Sequence, residues 1–133
     1  MRLLFPGDAQ IENWEYALKV APDKAENVRR LSRVDLYKVG HHGSRNATPR
    51  ILFDLWSRPD TRDRPMVAMM STKPGVHGRS VSTAVPRKTL VAALDTRMTL
   101  LSTAELARGT PCAEVTADLD GDGVLRVVGD GAG

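Results

Sequence analysis

Apolar and polar positions fall along this chain in blocks whose spacing changes from one block to the next. Leu3, Leu4 and Phe5 make a short apolar run closed by Pro6-Gly7, the pattern of a buried strand ending in a turn. Ile11, Trp14, Ala17, Leu18 and Ala21 then recur every three or four positions, which predicts a helix over residues 11–20. Residues 24–33 are densely charged with Val28 and Leu31 three apart, a surface helix or loop. A β-rich run over residues 34–39 stops at Gly40 and predicts a second strand. Thr48-Pro49 reads as an N-cap followed by proline at the first helical position, with Ile51, Leu52, Leu55 and Trp56 as the apolar face behind it. A polar connection over residues 57–65 leads to the continuous apolar run 66–70, suited to a buried strand. Residues 71–84 form a long loop, of a length that in a small domain is often functional. Pro86 opens a helix with Leu90, Val91 and Leu94 facing inward, and residues 98–102 make the next strand. Residues 113–117 and 124–128 pair as a terminal hairpin. Strand and helix alternate, so the expected class is α/β: a layered sheet with flanking helices. No repeat is visible. Residues 1–128 read as one domain and the Gly-rich residues 129–133 as a frayed tail.

Composition narrows the setting. The chain has 133 residues, 41% of them apolar, enough for an ordinary small core and too many for a disordered tail. Apolar runs reach only about five residues, too short to span a bilayer. The apolar stretch at the N-terminus is too short for a secretory signal. The single cysteine, Cys112, excludes an intrachain disulfide and any cysteine-built zinc site. A cytoplasmic protein is the expectation. The net charge is +3, with basic clusters at Arg29, Arg30 and Arg33, at Arg58, Arg62 and Arg64, and at Arg79, Arg87 and Lys88. Such clusters are usually solvated faces. With aromatics at 5%, base-stacking platforms are not expected, and charge alone does not make this a nucleic-acid binder.

Two segments place polar residues directly after apolar strands: Phe5-Pro6-Gly7-Asp8 and Lys38-Val39-Gly40-His41-His42-Gly43-Ser44. Ligands of α/β sheets gather at the carboxyl ends of strands. A carboxylate left there needs a cation or hydrogen-bond donors. Asp8 can also serve simply as the cap of a helix beginning near Ala9. Imidazole is the commonest neutral metal ligand, and adjacent side chains at a strand end diverge. One histidine of the pair can therefore bind a metal while the other meets a substrate or a supporting group. Gly40 and Gly43 permit the sharp turn this requires.

These two motifs, with Val34-Asp35-Leu36-Tyr37 leading into the second, resemble the later motifs of metallo-β-lactamase-fold hydrolases. They are most similar to the branch that includes the hydrolase-like domain of competence-type DNA uptake proteins. Met70-Ser71-Thr72, His77, Pro86 with its helix, and the strand ending Ser102-Thr103 follow in the family's order, so the resemblance covers roughly residues 2–128. It implies the C-terminal half of a four-layer αββα sandwich, a mixed sheet with flanking helices and a terminal β-hairpin. It implies two divalent metal ions, zinc or manganese. Asp8 would be the carboxylate bridging them. His41 or His42 would be a terminal ligand of one, and the other would support from behind. On the resemblance His42 joins Asp8 as a catalytic residue. His77 could line the substrate side, or be a solvated loop residue. Ser44 could hold a ligand in place, although ending a turn suits it better.

The pattern also breaks. The family's principal motif, His-x-His-x-Asp-His, lies before the Gly-Asp motif, and only seven residues precede Asp8 here, none of them histidine. A catalytic zinc usually takes three protein ligands, and Asp8 plus one histidine falls short. The chain is then either the C-terminal half of a longer hydrolase, begun at an internal Met1, or a degenerate standalone domain that serves as a noncatalytic interaction module. The first implies hydrolysis of an ester or phosphodiester by the complete enzyme and inactivity of this half alone. It also implies a partner in the missing half, or self-association through the sheet face left bare. A nucleic-acid substrate fits the relatives and the basic clusters, and no membrane is involved. Asp118, Asp120, Asp122 and Gly123 look like a calcium loop, but the twelfth position is Gly129 where a glutamate is needed, so turn chemistry explains them better.

Overall fold

A computed structural model describes residues 1–56, 66–76, 78, 80, 83–110, 112–117 and 125–128. His77, the Asp118–Asp122 segment, the tail 129–133 and the connection 57–65 lie outside the described residues. In chain order the elements are β1 (Leu3–Leu4), α1 (Ile11–Glu15), α2 (Lys24–Leu31), β2 (Leu36–Val39), α3 (Arg50–Phe53), β3 (Val67–Met70), α4 (Lys88–Asp95), β4 (Thr99–Ser102), β5 (Glu114–Ala117) and β6 (Leu125–Val128). The fold is α/β. Its sheet is built from four parallel strands in the order β1-β2-β3-β4. The expected mixed sheet resolves into two: among the described residues, the antiparallel β5–β6 pair forms a sheet of its own. Every step in the parallel sheet goes to the adjacent strand through a helical connection, as parallel pairing requires.

The helices cover one face of the sheet. Tyr37, Val39, Ala68 and Met70 point into a core shared with Trp14 of α1, Leu52 of α3, and Leu90 and Leu94 of α4. Leu90 and Leu94 are one helical turn apart and both buried, so α4 presents a single apolar stripe. Residues 11–20 are helical as expected, but only α1 is a regular α-helix; Tyr16–Val20 form one π turn, with the Ala21 N–H donating to the Tyr16 carbonyl at 2.8 Å. On the opposite face, Leu36 and Val67 are buried, Lys38, Met69 and Leu101 are half-buried, and Leu3 is exposed.

Two caps differ from the pattern reading. Pro49, not Thr48, is the residue preceding α3. Thr48 is buried, and its hydroxyl lies 2.7 Å from the hydroxyl of the fully buried Tyr37, which also donates to the Ala47 carbonyl at 3.3 Å. A buried phenol needs a partner, and that demand takes the threonine hydroxyl away from the helix. Asp8 does not cap α1 either. Gln10 holds that position, and its N–H donates to Asn13 Oδ1 at 2.9 Å. The Tyr37 ring packs on Trp56 with centroids 4.8 Å apart, and Trp56 Nε1 donates to the Leu31 carbonyl at 2.8 Å, tying the end of α2 to the turn after α3. Burial pushes the Tyr37 phenol up to about 12, against the smaller opposing effect of its hydrogen bond to Thr48.

Among the described residues no helix is long and apolar enough to cross a membrane.

Candidate functional site

Parallel pairing puts the carboxyl ends of all four strands on one edge, so residues far apart in sequence meet there. Asp8 follows β1, His41 and His42 follow β2, Ser71 and Thr72 follow β3, and Thr103 follows β4. His41 Nε2 lies 3.1 Å from Asp8 Oδ1. His42 Nδ1 is 2.9 Å from the Ser71 carbonyl oxygen. The Thr72 N–H donates to Thr103 Oγ1 at 2.8 Å, and that hydroxyl donates back to the Thr72 carbonyl at 2.7 Å. Polar contacts therefore join each strand end to the next across the whole edge.

The two histidines diverge, one toward the β1 end and the other toward the β3 end. A carbonyl oxygen can only accept, so Nδ1 of His42 carries the proton in this contact and Nε2 carries the lone pair in the neutral ring. A backbone carbonyl behind the far nitrogen is how metal-binding histidines are commonly oriented. His41 contacts the carboxylate directly. Both residues have positive φ, 42° and 54°. Two successive non-glycine residues in the left-handed region store strain of about 1–3 kcal/mol each, a condition that concentrates at functional sites.

The glycines explain how the two loops come together. Gly40 has an ordinary φ of −76°, so conformational freedom is not its role. A Cβ built on it would lie 2.7 Å from the Gly7 carbonyl oxygen. The β1 and β2 ends can close on each other only because that Cβ is missing. Gly43 does need glycine for its backbone, at φ +83°, and its Cα packs against Met70 and Pro86. Ser44 ends the turn, its N–H donating to the His41 carbonyl at 3.0 Å. Its hydroxyl is buried with no partner among the described residues, and it does not reach the Asp8–His41 contact.

A pocket of about 350 Å³ opens at this edge, with Asp8, His41, His42, Lys38, Phe5 and Ser71 among its walls. Lys38 and Phe5 begin the two motif segments, but neither was singled out there as a site residue. The signal was their place in the strand alternation, which turns them to the face away from the helices. Desolvation lowers the Lys38 ammonium below its ordinary value, and its Nζ donates to the Val39 carbonyl at 3.3 Å. The Asp8 side chain is 88% exposed. A polar contact this exposed adds little to stability, about 0–1 kcal/mol.

The donor set falls short of a metal site. Among the described residues no group of three or more His, Cys, Asp and Glu side chains is arranged to hold a metal ion. Asp8 and the histidine pair supply part of a coordination shell, and a catalytic zinc usually takes three protein ligands together with an open position. Comparisons with family models, with curated proteins and with solved structures found no match to this chain.

Proposed function

We propose that this chain is the C-terminal half of a dinuclear-metal-dependent hydrolase of the metallo-β-lactamase fold, inactive alone. Its share of the site is Asp8 as a bridging carboxylate with His41 and His42 beside it. The remaining ligands come from an N-terminal half carrying the His-x-His-x-Asp-His motif. The observation that supports this reading most is the approach of Asp8 to His41 at 3.1 Å, with His42 oriented by a backbone carbonyl on the far side of the same edge. The incomplete donor set assigns no hydrolytic step to this chain by itself. The α/β layer with helices on one face suits one half of an αββα sandwich, and the second half would pack toward the β1 edge, where Leu3 and Phe5 are exposed. The substrate class is an ester or a phosphodiester, and the cofactors of the assembled enzyme are two divalent ions, zinc or manganese.

The test is metal content by mass spectrometry, paired with hydrolysis of a chromogenic phosphodiester. It is made on this chain and on the same chain extended by the coding sequence upstream of Met1. The expected result is well under two equivalents and no turnover for the chain alone. The extended protein should bind about two equivalents and turn over, with activity abolished by Asp8→Ala. Full occupancy of the short chain would overturn the half-site reading. An upstream sequence without the histidine motif would favour a noncatalytic interaction module that keeps the fold.

A further inference from the structure

A half-buried cation in the wall of the strand-end pocket stands without a counter-charge: the ammonium of Lys38 in β2. Its Nζ donates to the Val39 carbonyl at 3.3 Å. An ammonium has three donors, so two remain. Among the described residues no carboxylate pairs with them; Asp8, in the same wall, contacts His41 instead. Exposed Lys19, Arg29, Arg30 and Arg50 each face a carboxylate, at 2.8, 2.6, 2.6 and 3.5 Å. Lys38 has none, although burial makes an unpaired charge costlier there. The lowered affinity of its amine for a proton has burial as its cause, with no opposite charge to offset it.

The pocket has room for what would complete this group. Its volume, about 350 Å³, lies at the lower end of the ~300–1,000 Å³ typical of small-molecule sites. Gly7 and Gly40 bring no side chain into it, and the place a Gly7 Cβ would take is open space. An oxyanion seated on Lys38 would replace the water that burial has removed with charge-assisted hydrogen bonds. Asp8 opposes an anion in the same pocket. Its side chain is 88% exposed, so solvent and salt screen that repulsion more than they screen the half-buried ammonium. For packing alone, an uncharged side chain of similar length would serve this position better, because the stem can stay while the unpaired charge goes.

We infer that Lys38 is a positioning residue of the strand-end pocket, and that its ammonium holds a phosphate oxyanion there. The inference rests on the hydrolase reading only in calling that anion part of a substrate; the binding itself needs neither the metals nor the missing half. A free phosphate and a phosphate diester offer the same oxygens. The experiment is a ¹H–¹⁵N titration of the full chain, freed of metal and held at constant ionic strength, with inorganic phosphate, with dimethyl phosphate and with the neutral ester methyl acetate. Saturable shifts of the Lys38 and Gly40 amides are expected for one or both phosphates, half-complete below about 10 mM. Lys38→Met keeps an unbranched stem and removes the charge, and should weaken that binding about fivefold or more. Its melting temperature should equal or exceed the parent's, because an unpaired half-buried charge is gone. Tighter binding of dimethyl phosphate identifies a diester as the ligand, and tighter binding of inorganic phosphate identifies a free phosphate. No saturation by either phosphate, methyl acetate binding as well as they do, or Lys38→Met binding as the parent does would overturn the inference. So would a lower melting temperature for Lys38→Met, which would mark the lysine as structural. Metal content and turnover do not enter these readouts, so failure here and failure of the hydrolase reading are told apart.

Discussion

At the residue scale, Tyr37 shows how a single buried group organises its surroundings. Its phenol is fully buried and its hydroxyl meets Thr48 and Ala47. Removing it with Tyr37→Phe strands the buried Thr48 hydroxyl, and should cost about 1–3 kcal/mol in urea unfolding at neutral pH. The pH dependence has a definite sign. The folded phenol is held at about 12, above its ordinary value of 10.0, so it stays neutral in the native protein while it ionises in the unfolded chain. The stabilisation is therefore fully present below pH 10 and is lost as the pH rises toward 12. The loss is on the order of 2–3 kcal/mol. Melting curves should fall more steeply over that window for the parent than for Tyr37→Phe. Parallel curves for the two proteins would show that burial does not hold the phenol neutral. The histidine pair belongs to the same scale. The spacing of the motif marked its importance, but no pattern of residue types announces two successive left-handed histidines, because that conformation is imposed by the closing of two loops.

At the element scale, what matters is how closely strand ends can approach. The β1 and β2 ends meet where Gly40 touches the Gly7 carbonyl. Gly40→Ala puts a methyl group 2.7 Å from a backbone oxygen, so one loop must move. We expect a destabilisation of about 1–3 kcal/mol together with loss of the Asp8–His41 contact. A denaturation midpoint equal to the parent's would mean the two loops are not held at that distance. The strands and helices were legible because their periodicity is strong: the runs at 3–5, 34–39, 66–70 and 98–102 contain β1 to β4, and the Leu90–Leu94 stripe lies in α4. The caps were not legible. Thr48-Pro49 has the look of a helix start, yet the threonine answers to Tyr37 eleven residues earlier, a tertiary demand invisible in local sequence. The same holds for Asp8, which had a local explanation as a cap and instead meets His41, 33 residues away in the chain.

At the scale of the whole molecule, helices cover one sheet face; on the other, Leu36 and Val67 are buried while the β1 end stays exposed. Leu3 is 50% exposed and Phe5, two residues on, is 64% exposed. An apolar surface of that kind invites a covering partner. The isolated chain should elute as a dimer or larger species by light scattering, and Leu3→Lys together with Phe5→Lys should shift it toward the monomer. A clean monomer at high concentration would count against a missing half. Beneath all of this is the claim that parallel pairing carries an acid from one strand end and imidazoles from the next into a single site. The most direct measurement is the ¹H–¹⁵N spectrum of the histidine side chains in the parent and in Asp8→Asn. The account predicts that His42 shows the Nδ1-protonated tautomer, and that the substitution shifts the ring nitrogens of His41 while leaving those of His42 in place. A His41 ring that does not respond to the loss of the Asp8 charge would contradict it.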